Sequence, residues 1–490
     1  MTSGGPTEAL SDLAGRRVLV AGLGVTGRAV VAALAALGEG APDVVTLDAR
    51  SPDADLAAES EVDLASVDLV VASPGWPPAA PVLAEAARRG IPVWSEVELA
   101  WRLRVDRRDG GGPAPWLVLT GTNGKTTTVG MLEAVLRAAG LRAAAVGNVG
   151  APLVAAATDP DVDVLAVELS SFQLHFTHTM AARAAAVLNV APDHLDWHGS
   201  FEAYAADKAR IYAGVDVACV YPTDDPRLEA MVRDADVTEG ARAVGLTLGA
   251  PGPGQLGLVD GILVDRAFHA PADDPARHRS AAELGTVRDL DHLAGPDGRL
   301  AAHVVTDALA AAALARAHGV PASAVRDGLR AYRPGAHRIE LVATTGDVRW
   351  VDDSKATNAH AAAASLAGFA PGTVVWVAGG LAKGARFDDL VRDRADRLRG
   401  VVLLGVDQEP WLDALARHAP AIPVVAVDPA DTGTVMTRAV TAARTLARPG
   451  DTVLLAPACA SMDQFASYAA RGDAFAAAVR ALAPDAPTAG

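Results

Sequence analysis

Three glycine-rich or polar stretches of this chain have the residue types and spacing to act on phosphates and carboxylates. The first is Gly121-Thr122-Asn123-Gly124-Lys125-Thr126-Thr127, set between the apolar run Trp116–Thr120 and a segment with Val129, Leu132 and Val135/Leu136 on one helical face. Such a loop turns its amides toward phosphate oxygens, its lysine meets the β/γ charge, and its hydroxyl is placed for Mg2+. The spacing departs from the usual loop, because the first glycine lies only three residues before Gly124. The next strand-like runs, Val162–Val167 and Ala184–Val190, end at Glu168 and near Asp193-His194. Both sets therefore fall on the loop's side of a parallel sheet, where carboxylate and imidazole suit a cation beside a nucleoside triphosphate. A buried, hydrogen-bonded histidine is the simpler account of His194 taken alone.

The second stretch is Gly22-Leu-Gly24-Val-Thr-Gly27, after the strand-like Arg17–Ala21 and before a helix predicted from Arg28 to about Leu37. With Asp48 closing the next strand, it has the form of a dinucleotide-binding turn. A turn that binds nothing fits too, as does one holding another diphosphate such as a UDP group, since helix amides do not distinguish pyrophosphates. Ser73-Pro74-Gly75 ends a further strand, Val67–Ala72. The third set lies at three strand ends late in the chain: Asp352-Asp-Ser-Lys-Ala-Thr-Asn358, Ala378-Gly-Gly-Leu-Ala-Lys383, and Pro457 to Phe465. It brings Asp353, Lys355, Lys383 and Ser461 to one sheet edge, a second binding surface expected to face the central domain.

Lys208 is less obvious. Phe201, Tyr204, Lys208 and Ile211 share one helical face, so a lysine sits on an apolar stripe where a charged amine is poorly solvated. It either snorkels to water or has its amine modified or paired at a site.

These residues need elements to hold them. Apolar runs alternate with alanine-rich helical segments nearly throughout, which predicts an α/β chain with mostly parallel sheets. Asp106–Pro115 reads as a linker, and Tyr332–His337 as a softer joint. Three domains follow: 1–112, 113–334 and 335–490. The Gly/Pro/Asp-rich segment Leu248–Arg299 is expected to be a surface excursion of the central domain. The 490 residues carry a net charge of −16, which argues against nucleic acid as a partner. Two cysteines, an N-terminus without a leader pattern and no long apolar run predict a cytoplasmic protein off the membrane. No Cys-x-x-Cys suggests zinc and no G-x-S-x-G a serine hydrolase.

Taken together, Gly121 to Thr127, Gly147-Asn-Val-Gly150, Glu168-Leu-Ser-Ser-Phe-Gln-Leu174, Asn189 to His194, Asp353-Ser-Lys-Ala-Thr-Asn358 and Ser461-Met-Asp-Gln-Phe465 resemble the motifs of the Mur ligase family, in order and over nearly the whole chain. Within it they are most similar to the branch that adds D-glutamate. The resemblance implies a Rossmann-like N-terminal domain for a UDP-sugar, a central P-loop ATPase-like domain, and a C-terminal Rossmann-like domain for the amino acid. It implies ATP-dependent ligation of D-glutamate to UDP-N-acetylmuramoyl-L-alanine (UDP-MurNAc-L-Ala) through an acyl phosphate, in peptidoglycan precursor synthesis, by a monomer.

Matched by position, Gly121, Thr122, Asn123, Gly124, Lys125, Thr126 and Thr127 hold ATP, with Asp307, Arg338 and Asp353. Thr126, Glu168, His194 and Lys208 serve two Mg2+ ions, Lys208 as a carbamate. Val25, Thr26, Arg50, Ser73, Gly75, Asn148, Ser170, Gln173 and His194 contact the UDP-substrate. Thr357, Lys383, Ser461 and Tyr468 form the D-glutamate pocket. The chain departs from the family at His303-Val304-Val-Thr-Asp307, where His-Asn-x-x-Asn is usual. It departs again at Tyr468, where a ring without a hydroxyl is usual, and in the length of the 248–299 segment. A diaminopimelate-adding relative would be expected to show Asp-Asn-Pro-Arg, which is absent. A nicotinamide-dependent oxidoreductase would use Gly22 to Gly27 and leave the phosphate loop idle. A phosphate-loop regulator without chemistry is the other alternative.

Overall fold

The computed structural model describes residues 13–271, 274–295, 298–382 and 384–482. It is an α/β chain with three mostly parallel sheets. The first sheet has the order β2-β1-β3-β4, from β1 (Arg17–Ala21), β2 (Asp43–Leu47), β3 (Leu69–Ala72) and β4 (Val93–Ser95), all parallel. β1 lies between β2 and β3, so the glycine turn leaves the sheet where strand order reverses, the usual ligand crevice of such sheets. The helix after it, α1, runs Val25–Ala35 rather than from Arg28. Gly24 is its N-cap, and Gly27 lies inside it because a Cβ there would stand 1.8 Å from the Gly22 carbonyl oxygen. The third glycine thus buys close contact of helix and strand end.

The second sheet contains β5 (Trp116–Thr120), β6 (Ala143–Gly147), β7 (Val164–Glu168), β8 (Ala184–Val187) and β9 (Ala218–Pro222), continued by β10 (Arg242–Leu246), β11 (Gln255–Val259), β12 (Ile262–Asp265) and β13 (Ala282–Thr286). Its order is β13-β12-β11-β10-β9-β8-β5-β7-β6. β5, β7 and β8 are buried along their whole length, as the centre of a parallel sheet covered on both faces requires. The surface excursion expected over Leu248–Arg299 is corrected here. β11, β12 and β13 pair onto the sheet edge, the last two antiparallel, because alternating Leu256, Leu263 and Leu284 bury one face of a meander.

One apolar cluster runs from Val18 and Leu34 through Trp116 and Val167 to Tyr212, joining the first two sheets. The helix α2 (Glu96–Leu103) is the weld. Its Glu98, fully buried, accepts the amides of His178 (2.7 Å) and Thr179 (2.8 Å) and the Thr179 hydroxyl (2.7 Å). By compactness the chain divides into two units: one runs to Leu290 and resumes over Ala302–Tyr332, and the other takes Asp291–Ala301 and the chain from Arg333.

The second unit holds the third sheet, β14-β15-β19-β16-β17-β18, from β14 (Glu340–Thr345), β15 (Val348–Asp352), β16 (Val374–Gly379), β17 (Leu398–Leu404), β18 (Val424–Ala426) and β19 (Thr452–Leu455). Only β14 is antiparallel; apolar layers cover both faces.

Candidate active site

β5 is entirely buried and ends at Thr120, and the helix α3 (Lys125–Ala138) starts after Gly124. Gly124 has φ +79°, and a Cβ on it would meet the Asp307 carboxylate at 2.4 Å. Only glycine relieves both the backbone and the contact. Asp307 comes from the long buried helix α8 (Ala302–Ala317), which places a carboxylate against the loop. The loop is stapled on its other side. The Asn189 side chain accepts from the Asn123 amide (2.9 Å) and donates to the Asn123 carbonyl (3.1 Å). Thr122 Oγ1 exchanges hydrogen bonds with the Ala191 backbone and meets the Tyr204 hydroxyl at 3.0 Å. Lys125 Nζ folds back onto the carbonyls of Gly121 (2.8 Å) and Thr122 (2.9 Å).

Glu168 ends β7, beside β5, and is buried. Asn148 Nδ2 donates to its Oε1 (2.8 Å), while its Oε2 is buried without a hydrogen-bond partner. A lone buried carboxylate oxygen is costly unless a cation or donor meets it. His194 follows β8 with a positive φ of 52°, and its ring lies edge-on to Phe172 at 4.7 Å. Lys208 projects from α7 (Phe201–Ala209) and is 1% exposed, so it does not snorkel. Its Nζ donates to the Gly121 carbonyl (2.9 Å) and Thr120 Oγ1 (3.3 Å) and sits 4.7 Å from the Tyr204 ring centroid. Burial, then the neighbouring Lys125 charge, holds this amine well below its ordinary value, against the pull of Asp193 and Glu168. Lys125 and Lys208 thus meet on the Gly121 carbonyl, within reach of the Glu168 charge. Among the described residues no three His, Cys, Asp or Glu side chains group as a metal site. The Glu168 carboxylate and the His194 imidazole, joined by hydroxyl and phosphate oxygens, would make a mostly oxygen donor set of the kind Mg2+ takes.

Ser170 and Gln173 cap each other. Ser170 Oγ accepts the Gln173 amide (3.2 Å), and the Gln173 carboxamide oxygen accepts the Ser170 amide (2.9 Å), at the start of α5 (Ser171–His175). The glycine turn is closed by its own neighbours. Asp48 accepts the amides of Leu23 (2.7 Å) and Arg50 (2.8 Å), which lower its carboxyl below the usual value, and Ser73 Oγ donates to the Gly22 carbonyl (3.0 Å). Asp48 therefore braces the turn through these two amides. Val25, Arg50 and Gly75 are exposed around it.

In the second unit β15 and β16 each pair parallel with β19, so their C-terminal ends lie side by side; Lys383 lies outside the described residues. Arg471, 1% exposed, joins two of the loops: its guanidinium donates to the Ser354 hydroxyl (3.0 Å) and carbonyl (2.9 Å) and to the Cys459 carbonyl (3.0 Å). Tyr468 starts the helix Tyr468–Arg480, and Lys355 Nζ lies 3.9 Å from its ring centroid. Ser461 is buried, and Thr357 sits in the 352–358 loop, its amide bonded to the Lys355 carbonyl (2.8 Å). Asp353 is buried, accepts the Ser365 hydroxyl and is pushed up to about 6 by burial, against the nearby Arg338. Sequence reasoning missed Tyr204 as a partner of Thr122, Asn189 as the loop's staple, and Arg471. An arginine on the apolar face of the last helix was the one available signal, and it resembles that of Lys208.

The Mur ligase middle domain pattern matches residues 119–246, and the Mur ligase, glutamate ligase domain pattern matches 337–459. The chain is 57% identical to UDP-N-acetylmuramoylalanine--D-glutamate ligase of Streptomyces avermitilis, over 96% of this chain and 100% of the relative. It is 52% identical to the protein of that name from Thermobifida fusca, with the same shares covered.

The chain belongs to the Mur ligase family.

Solved structures of Mur ligases share the fold: the MurF ligase from Thermotoga maritima in complex with ADP aligns at a TM-score of 0.54 and 16% identity, over 97% of this chain and 100% of that one. The pseudomurein peptide ligase type C from Methanothermus fervidus aligns at 0.56 and 16%, over 96% and 100%. The Mur ligase middle domain match takes in the loop from Gly121 to Thr127 together with Glu168, His194 and Lys208.

Proposed function

We propose that this chain is the ATP-dependent ligase that joins D-glutamate to UDP-MurNAc-L-Ala in the cytoplasm, acting as a monomer with the functional division 1–112, 113–334 and 335–490. The full-length 57% identity to a ligase of that name carries the reading, and the loop geometry supports it. Among the described residues no helix is long and apolar enough to cross a membrane.

The chemistry is carboxylate activation. An oxygen of the L-alanyl carboxylate attacks the γ-phosphorus of ATP in line, the bond to the β-bridging oxygen breaks, and ADP leaves. The amine of D-glutamate then attacks the acyl carbon, loses a proton, and displaces inorganic phosphate. Loop amides from Gly121 to Thr127 and the Lys125 ammonium, released from its two carbonyls, stabilise the transferring phosphoryl charge electrostatically. Thr126, Glu168, His194 and a carbamylated Lys208 would hold Mg2+, which supplies charge neutralisation when bound. The uncharged Lys208 amine is the form that reacts with CO2, and the resulting carbamate turns a poorly placed base into an anionic ligand. Gly22 to Gly27 with Arg50 holds the uridine diphosphate, and Lys383, Thr357, Ser461 and Tyr468 hold D-glutamate.

The test is ATP-dependent phosphate release with UDP-MurNAc-L-Ala across amino acids of both hands, with hydroxylamine to trap the acyl phosphate. D-glutamate alone should be turned over, Lys125→Ala should abolish trapping, and Lys383→Ala should raise the D-glutamate KM alone. Near-normal trapping by Lys125→Ala, or saturable NAD(H) binding that UDP does not displace, would overturn the assignment.

A further inference from the structure

A chain of side chains outside the phosphate loop connects the three segments that carry Glu168, His194 and Lys208. Ser171 Oγ lies 2.9 Å from His198 Nε2, His198 Nδ1 lies 2.9 Å from Asp207 Oδ2, and Asp207 also meets His175 Nδ1 at 2.9 Å. The Asp207 carboxylate only accepts, so both imidazoles donate to it through Nδ1. In the neutral ring His198 Nε2 then accepts the Ser171 hydroxyl. Ser171, Asp207 and the His198 side chain are buried.

The placement of these groups is what matters. Ser171 and His175 bracket α5, which follows Glu168 by a short turn. His198 closes α6 (Leu195–His198), whose N-cap is His194. Asp207 immediately precedes Lys208 on α7. The Phe172 ring extends the link, edge-on to His194 at 4.7 Å and stacked on His198 at 5.5 Å. A lysine tip stands roughly 8 Å from its helix axis, so a turn of α7 by about 10° would carry Nζ about 1.4 Å. Liganding geometry tolerates about 0.5 Å.

We infer that Asp207, with His175, His198 and Ser171, is a positioning clamp that sets the mutual spacing of Glu168, His194 and Lys208 for a divalent cation. This rests on the proposed role of those three residues as Mg2+ ligands. The clamp's hydrogen bonds run among α5, α6 and α7, so its loss should leave metal-free nucleotide binding alone.

The full-length protein, with a non-hydrolysable ATP analogue and bicarbonate, is titrated with Mn2+ and free metal is read by electron paramagnetic resonance. Asp207→Ala should weaken Mn2+ binding by about 10–100-fold. Affinity for the analogue without metal and the circular dichroism should stay at parental values, and Asp207→Glu should recover part of the loss. Parental Mn2+ affinity in folded Asp207→Ala overturns the clamp. Should that variant not fold, His175→Gln and His198→Gln each cut one link, and parental affinity in both overturns it equally. Failure of the parent itself to bind Mn2+ with the analogue removes the ligand reading, and the clamp with it.

Discussion

Replacing Lys208 by Met tests whether its amine is held uncharged in the folded chain. Met keeps the length and apolar stem and removes the nitrogen. Neither acceptor is orphaned, because Thr120 Oγ1 still donates to the Leu169 carbonyl (2.7 Å) and the Gly121 carbonyl still accepts Lys125 (2.8 Å). The lost hydrogen bonds should therefore cost about 1–2 kcal/mol together. Against that, the native amine lies well below its ordinary 10.5, so below that pH unfolding takes up a proton and the parent is destabilised. The destabilisation grows by about 1.4 kcal/mol per pH unit as pH falls below that value, for as long as the native amine stays neutral. Lys208→Met should thus be less stable than the parent by about 1–2 kcal/mol above pH 10.5, where the linkage vanishes, and should gain on the parent by up to about 1.4 kcal/mol per pH unit as pH falls below 10.5. Pulsed hydrogen exchange along a urea series, in CO2-free buffer without nucleotide, reads this on peptides from β5 and α7 and so isolates the first unit. A stability difference that stays constant across that pH range refutes the reasoning, since it means the ammonium is charged and hydrated in the fold.

Other expectations follow the same logic. Glu96, buried at the start of α4 (Leu153–Ala157) and accepting the Val154 amide, is pushed up to about 7 by burial, so the folded chain holds more protons than the unfolded one between its ordinary 4.5 and 7. Its contribution therefore falls as pH rises through that window, and Glu96→Gln should stabilise the first unit by about 2–3 kcal/mol at pH 8 but little at about pH 4.5, read by the same exchange series. Gly124→Ala should lose ATP-analogue binding by more than about tenfold in calorimetry, through αL strain and the Asp307 contact; adding Asp307→Ala should restore part of it, and no restoration would make strain the whole cause. Arg471→Lys keeps a cation but not the fork across two loops, and should lower the stability of the second unit by about 2–3 kcal/mol while raising the D-glutamate KM. An unchanged KM would confine Arg471 to folding.

The fold class and the strand–glycine loop–helix form around Gly121 to Lys125 were both legible in the sequence. Both rest on local rules: buried apolar runs for parallel strands, and glycine, lysine and hydroxyl in register at a helix start. It also placed Lys208 on an apolar face, because helical periodicity is local. Element edges were less legible. The start of α1 at Val25 depends on Gly27 packing against the Gly22 carbonyl, and the meander β11 to β13 on pairing with β10, both contacts between segments. Only the tertiary structure decided that Asp48 braces its own turn, that Asp307 lies against Gly124, and that Asn189 staples the loop. The same holds for Asp207, one residue from Lys208, which draws in imidazoles from two other helices. Hydrogen bonds between residues far apart in the chain leave no periodicity and no fixed spacing, so folding alone brings such partners together.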